Sequence, residues 1–104
     1  MTKYTVEQIE ELIGILYDVH GKDAVVDFAG NCALRAYYNT SAFAASYAEH
    51  LTDSAANADD AIDIIKNAYN ASVVSASVIS DYAAATVTAE CEWQIDYLVE
   101  AINE

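Results

Sequence analysis

The sequence predicts an all-α protein, a single acidic domain of four to five helices with a long C-terminal helix. Three observations carry the prediction. Pro is absent and Gly occurs only at Gly14, Gly21 and Gly30, so the punctuation that sheet hairpins need is scarce. Apolar residues recur at spacings of three and four through most of the chain. The length, 104 residues, suits one core. Hydrophobic residues make up 55% and charged ones 20%, enough apolar material to offset chain entropy, so the chain is expected to fold rather than remain an acidic disordered tail.

The first helix is predicted to begin at Thr5, whose hydroxyl caps while Gln8 reaches back in a capping box, and to stop near Gly21. Val6, Ile9, Leu12, Ile13, Leu16 and His20 form its apolar stripe and leave Glu7, Glu11 and Asp18 on another. A second helix, Asp23 to Tyr38, packs Val25, Ala29, Cys32 and Ala36 inward and breaks at Asn39-Thr40. A short third runs from Ser41 to Leu51, and the polar run Thr52-Asp53-Ser54 reads as a loop. Asn57 is then expected to cap a fourth helix, with Asp59 and Asp60 at its positive end and Ala58, Ala61, Ile62, Ile65 and Tyr69 on its buried face.

Residues 72–104 admit two readings. Val87, Ala89, Cys91, Trp93 and Ile95 alternate with Thr88, Glu90, Glu92 and Gln94 as in a strand, while Ala84, Val87, Cys91, Ile95, Leu98 and Ile102 keep helical spacing. Helix is the stronger reading, because no Gly or Pro is present to turn a hairpin.

Charge is the unusual property: 17 Asp and Glu against 4 Lys and Arg give a formal net charge of −13. Lys3, Lys22, Arg35 and Lys66 are too few to bind DNA or RNA, whose affinity comes from cationic side chains releasing condensed counterions. The excess points to partners with basic surfaces. Cys32 and Cys91 lie far apart without CxxC spacing and read as buried, reduced thiols. The N-terminus lacks a basic region followed by an apolar one, and no 18-residue apolar segment exists, so a cytoplasmic protein without a membrane span is expected.

Catalytic and metal motifs are weak. Asp59-Asp60-Ala61-Ile62-Asp63 spells DDxxD, a magnesium-diphosphate motif when its carboxylates share a helix face, but no second acidic motif accompanies it and a solvated helix start explains it better. His20 and His50 fall at predicted helix ends without ligands at i+4. No nucleophile elbow, phosphate loop or dinucleotide fingerprint occurs, so no catalytic residue, metal or cofactor is expected.

The tyrosines Tyr4, Tyr17, Tyr37, Tyr38, Tyr47, Tyr69, Tyr82 and Tyr97 are expected mostly at core edges with wet hydroxyls. The adjacent Tyr37-Tyr38 pair cannot bury both rings on one stripe, which makes it the candidate dimer interface. The most informative pattern is Glu92, Asp96, Glu100 and Glu104, four carboxylates at i+4 spacing that form one line along the last helix. Like charges at that spacing destabilise a helix, and near its C-terminus they oppose the dipole, so local stability does not explain them. An acidic solvated face is one reading and phosphate mimicry the other, with Glu7, Glu11, Asp18, Asp59 and Asp63 supplying further acidic stripes.

In size, in charge, in the loose pattern Asp23-Ala24, Asn31 and Tyr37-Tyr38, and in an acidic C-terminal helix carrying Trp93, the chain resembles the phage antirestriction proteins of the Ocr type, acidic helical DNA mimics. The resemblance implies a viral homodimer that occupies the basic DNA-binding groove of a host restriction enzyme or similar defence protein, binding no nucleic acid itself. An acidic helical adaptor or assembly protein with another basic partner is the alternative.

Overall fold

The computed structural model describes residues 6–83 and 87–104, with the side chains of Val6 and Ala83 outside the description. Five helices follow in order: α1 Val6–His20, α2 Lys22–Asn39, α3 Ala42–Asn57, α4 Ala61–Ala83 and α5 Val87–Ile102, and no strand occurs among the described residues. Thr5 and Ala84 lie outside them, and with Thr5 the expected capping box.

Gly21 ends α1 as the sequence predicts. Its φ of +88° falls in the left-handed region that favours glycine, and its N–H closes on the Tyr17 carbonyl at 2.9 Å. On α1, Ile9, Ile13 and Leu16 are buried and Leu12 half-buried, but His20 is exposed rather than part of the stripe. It sits in the last turn, where Nε2 meets the Ile102 carbonyl at 3.2 Å.

The stretch after Leu51 corrects the sequence reading. Thr52-Asp53-Ser54 is helix, not loop, and α3 continues to Asn57. Leu51 and Ala55 stay buried at i+4, while the Thr52 and Ser54 hydroxyls donate to the Ala48 and His50 carbonyls at 2.9 and 3.1 Å. Burial outweighs the preference of these polar residues for turns, and their side chains find partners inside the helix. His50 is therefore internal to α3 rather than at its end.

Asn57 does not cap α4. Its side-chain amide donates back to the Asp53 carbonyl at 3.0 Å, and the cap is Asp60, whose Oδ1 accepts from the Ile62 N–H at 2.9 Å. Replacing Asp60 with Ala is expected to lower stability by about 1 kcal/mol in urea denaturation, the usual loss for a missing N-cap; no change would show that the cap is unimportant. The buried face of α4 also differs from the expected one. Ile62 is exposed, Ala58, Ala61, Ile65 and Tyr69 are half-buried, and the buried stripe is Ile64, Ala68, Ala71, Ser72, Ser75, Ala76 and Ile79.

In the last segment helical periodicity prevails over alternation. Glu90 and Gln94 are buried with Cys91, Ile95 and Leu98, while Glu92, which a strand would place beside them, is exposed.

α2 and α4 form the centre, α3 packs on one side of them, and α1 and α5 pack on the other, in a slab of 34 × 34 × 20 Å. The interior is rich in alanine, with Ala29, Ala33, Ala36, Ala45, Ala48, Ala55, Ala68 and Ala71 all buried, which lets the central helices approach closely. Phe28, Ile13, Leu16, Ile64 and Leu98 fill the larger spaces.

Candidate protein-interaction surface

α1 and α5 neighbour each other and run in the same direction. Their C-terminal ends meet at His20 and Ile102. Near the other end Tyr69 links them: burial pushes its hydroxyl up, and Glu10, Glu7 and Cys91 push it the same way. Each helix turns its buried stripe to α4 and α2, which leaves its acidic residues other than Glu90 outward.

Glu92, Asp96 and Glu100 are exposed along α5, and Glu104 is exposed just beyond the helix end. Glu7, Glu11 and Asp18 are exposed on α1, joined by Glu10. Asp59 and Asp63 are exposed at the start of α4, where Lys22 donates to the Ala58 carbonyl at 2.6 Å and so ties that turn to the beginning of α2. Asp59 and Asp60 precede α4 and Asp63 lies in its first turn, so the DDxxD carboxylates do not share a helix face. No group of three or more His, Cys, Asp or Glu among the described residues could hold a metal ion.

Little cationic charge offsets this flank. The one ion pair among the described residues joins Arg35 to Glu90, with Nε–Oε2 at 2.6 Å and Nη2–Oε1 at 3.0 Å. The Glu90 side chain is 4% exposed and that of Arg35 35%, and the guanidinium also stacks 4.6 Å from the Trp93 ring centre. The bidentate bond to Glu90 raises the already high pKa of Arg35, and burial opposes it. Beneath the pair Cys32 is fully buried: desolvation pushes its thiol up, the Glu90 carboxylate adds to that, and Arg35 counters it. Cys32 and Cys91 are both free and buried, as the sequence suggested. Trp93 packs against the core with Tyr97, whose ring also tilts against Phe28.

Open clefts mark the surface. One, of about 230 Å³, lies between α2 and α3 against Gly30, Leu34, Glu49 and Asp53; another, of about 170 Å³, lies on α5 against Tyr97, Glu100 and Glu104. Both present carboxylates; the second lies along the α5 line, while the first lies on the α3 side, away from α1 and α5.

The tyrosines depart from expectation. Tyr17, Tyr69 and Tyr97 sit at core edges, but Tyr37, Tyr38, Tyr47 and Tyr82 are exposed, together with Phe43. Tyr37 and Tyr38 pack edge to face with ring centres 5.4 Å apart. They end α2 where α3 begins and α4 ends, around the buried cluster of Ala36, Ala45 and Ile79. Sequence reasoning missed Phe43, Tyr47 and Tyr82. The signal that could have found them is the absence of any charged side chain from Ala36 to Ala48 for Phe43 and Tyr47, and of any but Asp81 from Asn67 to Ala89 for Tyr82.

Comparison with protein-family models, curated proteins and solved structures finds no match to this chain. No helix of the described residues is long and apolar enough to cross a membrane.

Proposed function

We propose that the protein is an acidic DNA mimic, which binds a host DNA-binding or DNA-targeting defence enzyme and inhibits it by occupying the DNA site. The observation that carries this reading is the pair of outward acidic lines on two adjacent helices of the same direction, with no ion pair to Lys or Arg among the described residues. The i+4 line of α5 supplies one charge per about 6 Å of helix and the α1 line, at spacings of four and seven, about one per 8 Å, so the two together supply roughly one per 3 to 4 Å. Duplex DNA carries one per about 1.7 Å, and a cationic groove built for that density attracts a partial copy of it.

Immobilised protein, exposed to a bacterial lysate at moderate salt, is expected to retain a protein with a DNA-binding groove. Adding the free acidic protein should then release DNA from the captured partner, with a potency that falls as salt rises. A captured partner that holds DNA and this protein together would overturn mimicry and favour the adaptor reading.

A further inference from the structure

We infer that the uncharged aromatic end formed by Tyr37, Tyr38, Phe43, Tyr47 and Tyr82 is the seat of a second copy of this chain. The inference is independent of the acidic-surface reading, because it concerns the ends of α2 and α4 and the start of α3, and its test needs no foreign partner. Three observations carry it.

The first is area. The five side chains are 41%, 77%, 89%, 59% and 70% exposed in that order. With about 200 Å² for a whole aromatic side chain, those exposures leave roughly 650 Å² of aromatic surface open. A standard interface takes about 800 Å² from each partner, and the small uncharged residues between the rings bring the surface toward that figure. Monomers seldom leave so large an aromatic patch in water.

The second is charge. A chain of net charge −13 repels its own copy, so self-association requires a face from which charge has been removed. From Ala36 to Ala48 there is no charged side chain, and from Asn67 to Ala89 the only one is Asp81.

The third is chemistry. A two-fold interface places one patch against itself, so the patch must supply donors and acceptors alike. Tyrosine and serine hydroxyls do both, whereas carboxylates only accept. The patch offers the hydroxyls of four tyrosines, with exposed Ser41 and Ser46 beside them.

Sedimentation equilibrium of the full chain from roughly 1 to 100 µM tests the inference, since it brackets the micromolar affinities typical of modest interfaces. The mass is expected to move from 11.3 kDa toward twice that value. Association should strengthen between about 0.15 M and 1 M salt, as the Debye length shrinks from about 8 to about 3 Å and repulsion is screened. Phe43→Asp and Tyr82→Asp, each on an exposed side chain, should weaken dimerisation roughly tenfold or more while circular dichroism remains helical. Ile62→Asp, equally exposed at the acidic end of α4, should leave the dimer unchanged. A wild-type mass of 11.3 kDa throughout, at both salt concentrations, overturns the inference. So does a dimer that both aromatic variants leave intact.

Discussion

Replacing Arg35 with Met is expected to lower stability by about 3 kcal/mol at neutral pH, the lower end of the range for removing one partner of a buried ion pair. The lower end applies because the Arg35 side chain is 35% exposed, so water reaches its side of the pair, and because Met keeps part of its apolar stem. Most of the loss comes from Glu90, whose side chain is 4% exposed and would keep its negative charge without the two guanidinium hydrogen bonds. Removing both charges, in Arg35→Met with Glu90→Leu, should restore most of the stability, because an apolar pair of similar volume replaces the ions. Urea denaturation of the two single variants and the double one measures this. A loss below about 1 kcal/mol in Arg35→Met, or a double variant no more stable than that single one, would show that the pair is not what holds α2 to α5.

This pair also shows where the sequence stopped being legible. The periodicities of α1 and α2 were readable because each helix buries one apolar stripe: Ile9, Ile13 and Leu16 on one, Val25, Ala29, Cys32 and Ala36 on the other. On α5 the stripe includes Glu90 and Gln94, two polar residues that look like surface positions until a partner is known. Arg35 lies 55 residues away in sequence and supplies that partner for Glu90, while the Ser72 carbonyl accepts from the Gln94 amide at 3.0 Å. Long-range pairing of this kind has no local signature. The α3 boundary failed for a related reason. Thr52, Asp53 and Ser54 favour turns by local chemistry, and only the burial of Leu51 and Ala55 against neighbouring helices keeps them helical. The acidic lines were legible because i+4 spacing alone fixes a common face, and nothing in the packing reversed it. The exposed aromatics were not, because a tyrosine at helical spacing looks the same whether its neighbour is core or water.

Replacing Glu92, Asp96, Glu100 and Glu104 together by Gln is expected to move stability and binding in opposite directions. Gln keeps the size and helix propensity of Glu, and at exposed Asp96 it adds one methylene and a better helix former, so packing is preserved while four negative charges go. Within α5, the neighbouring pairs Glu92–Asp96 and Asp96–Glu100 each repel by about 0.2 to 0.5 kcal/mol, and Glu100 lies near the negative end of the helix dipole. Glu104 lies beyond the helix end and adds little to this relief. A small rise in the thermal midpoint should therefore follow, greatest at low salt. Binding should fall instead. Charge pairs across an interface rim contribute about 0.2 to 1 kcal/mol each, so losing four should weaken attachment to the captured partner by roughly fourfold to several-hundredfold and flatten its salt dependence. The companion variant Glu7→Gln, Glu11→Gln and Asp18→Asn, on the parallel helix, should weaken the same binding and add to the α5 effect, because both lines would face one groove. An affinity unchanged by both variants at about 0.15 M salt, where exposed charges separated by more than about 8 Å are already screened, would mean that this flank serves only to keep the protein hydrated. An effect confined to one helix would narrow the contact to that helix, because a groove that spans both cannot ignore either line of charge.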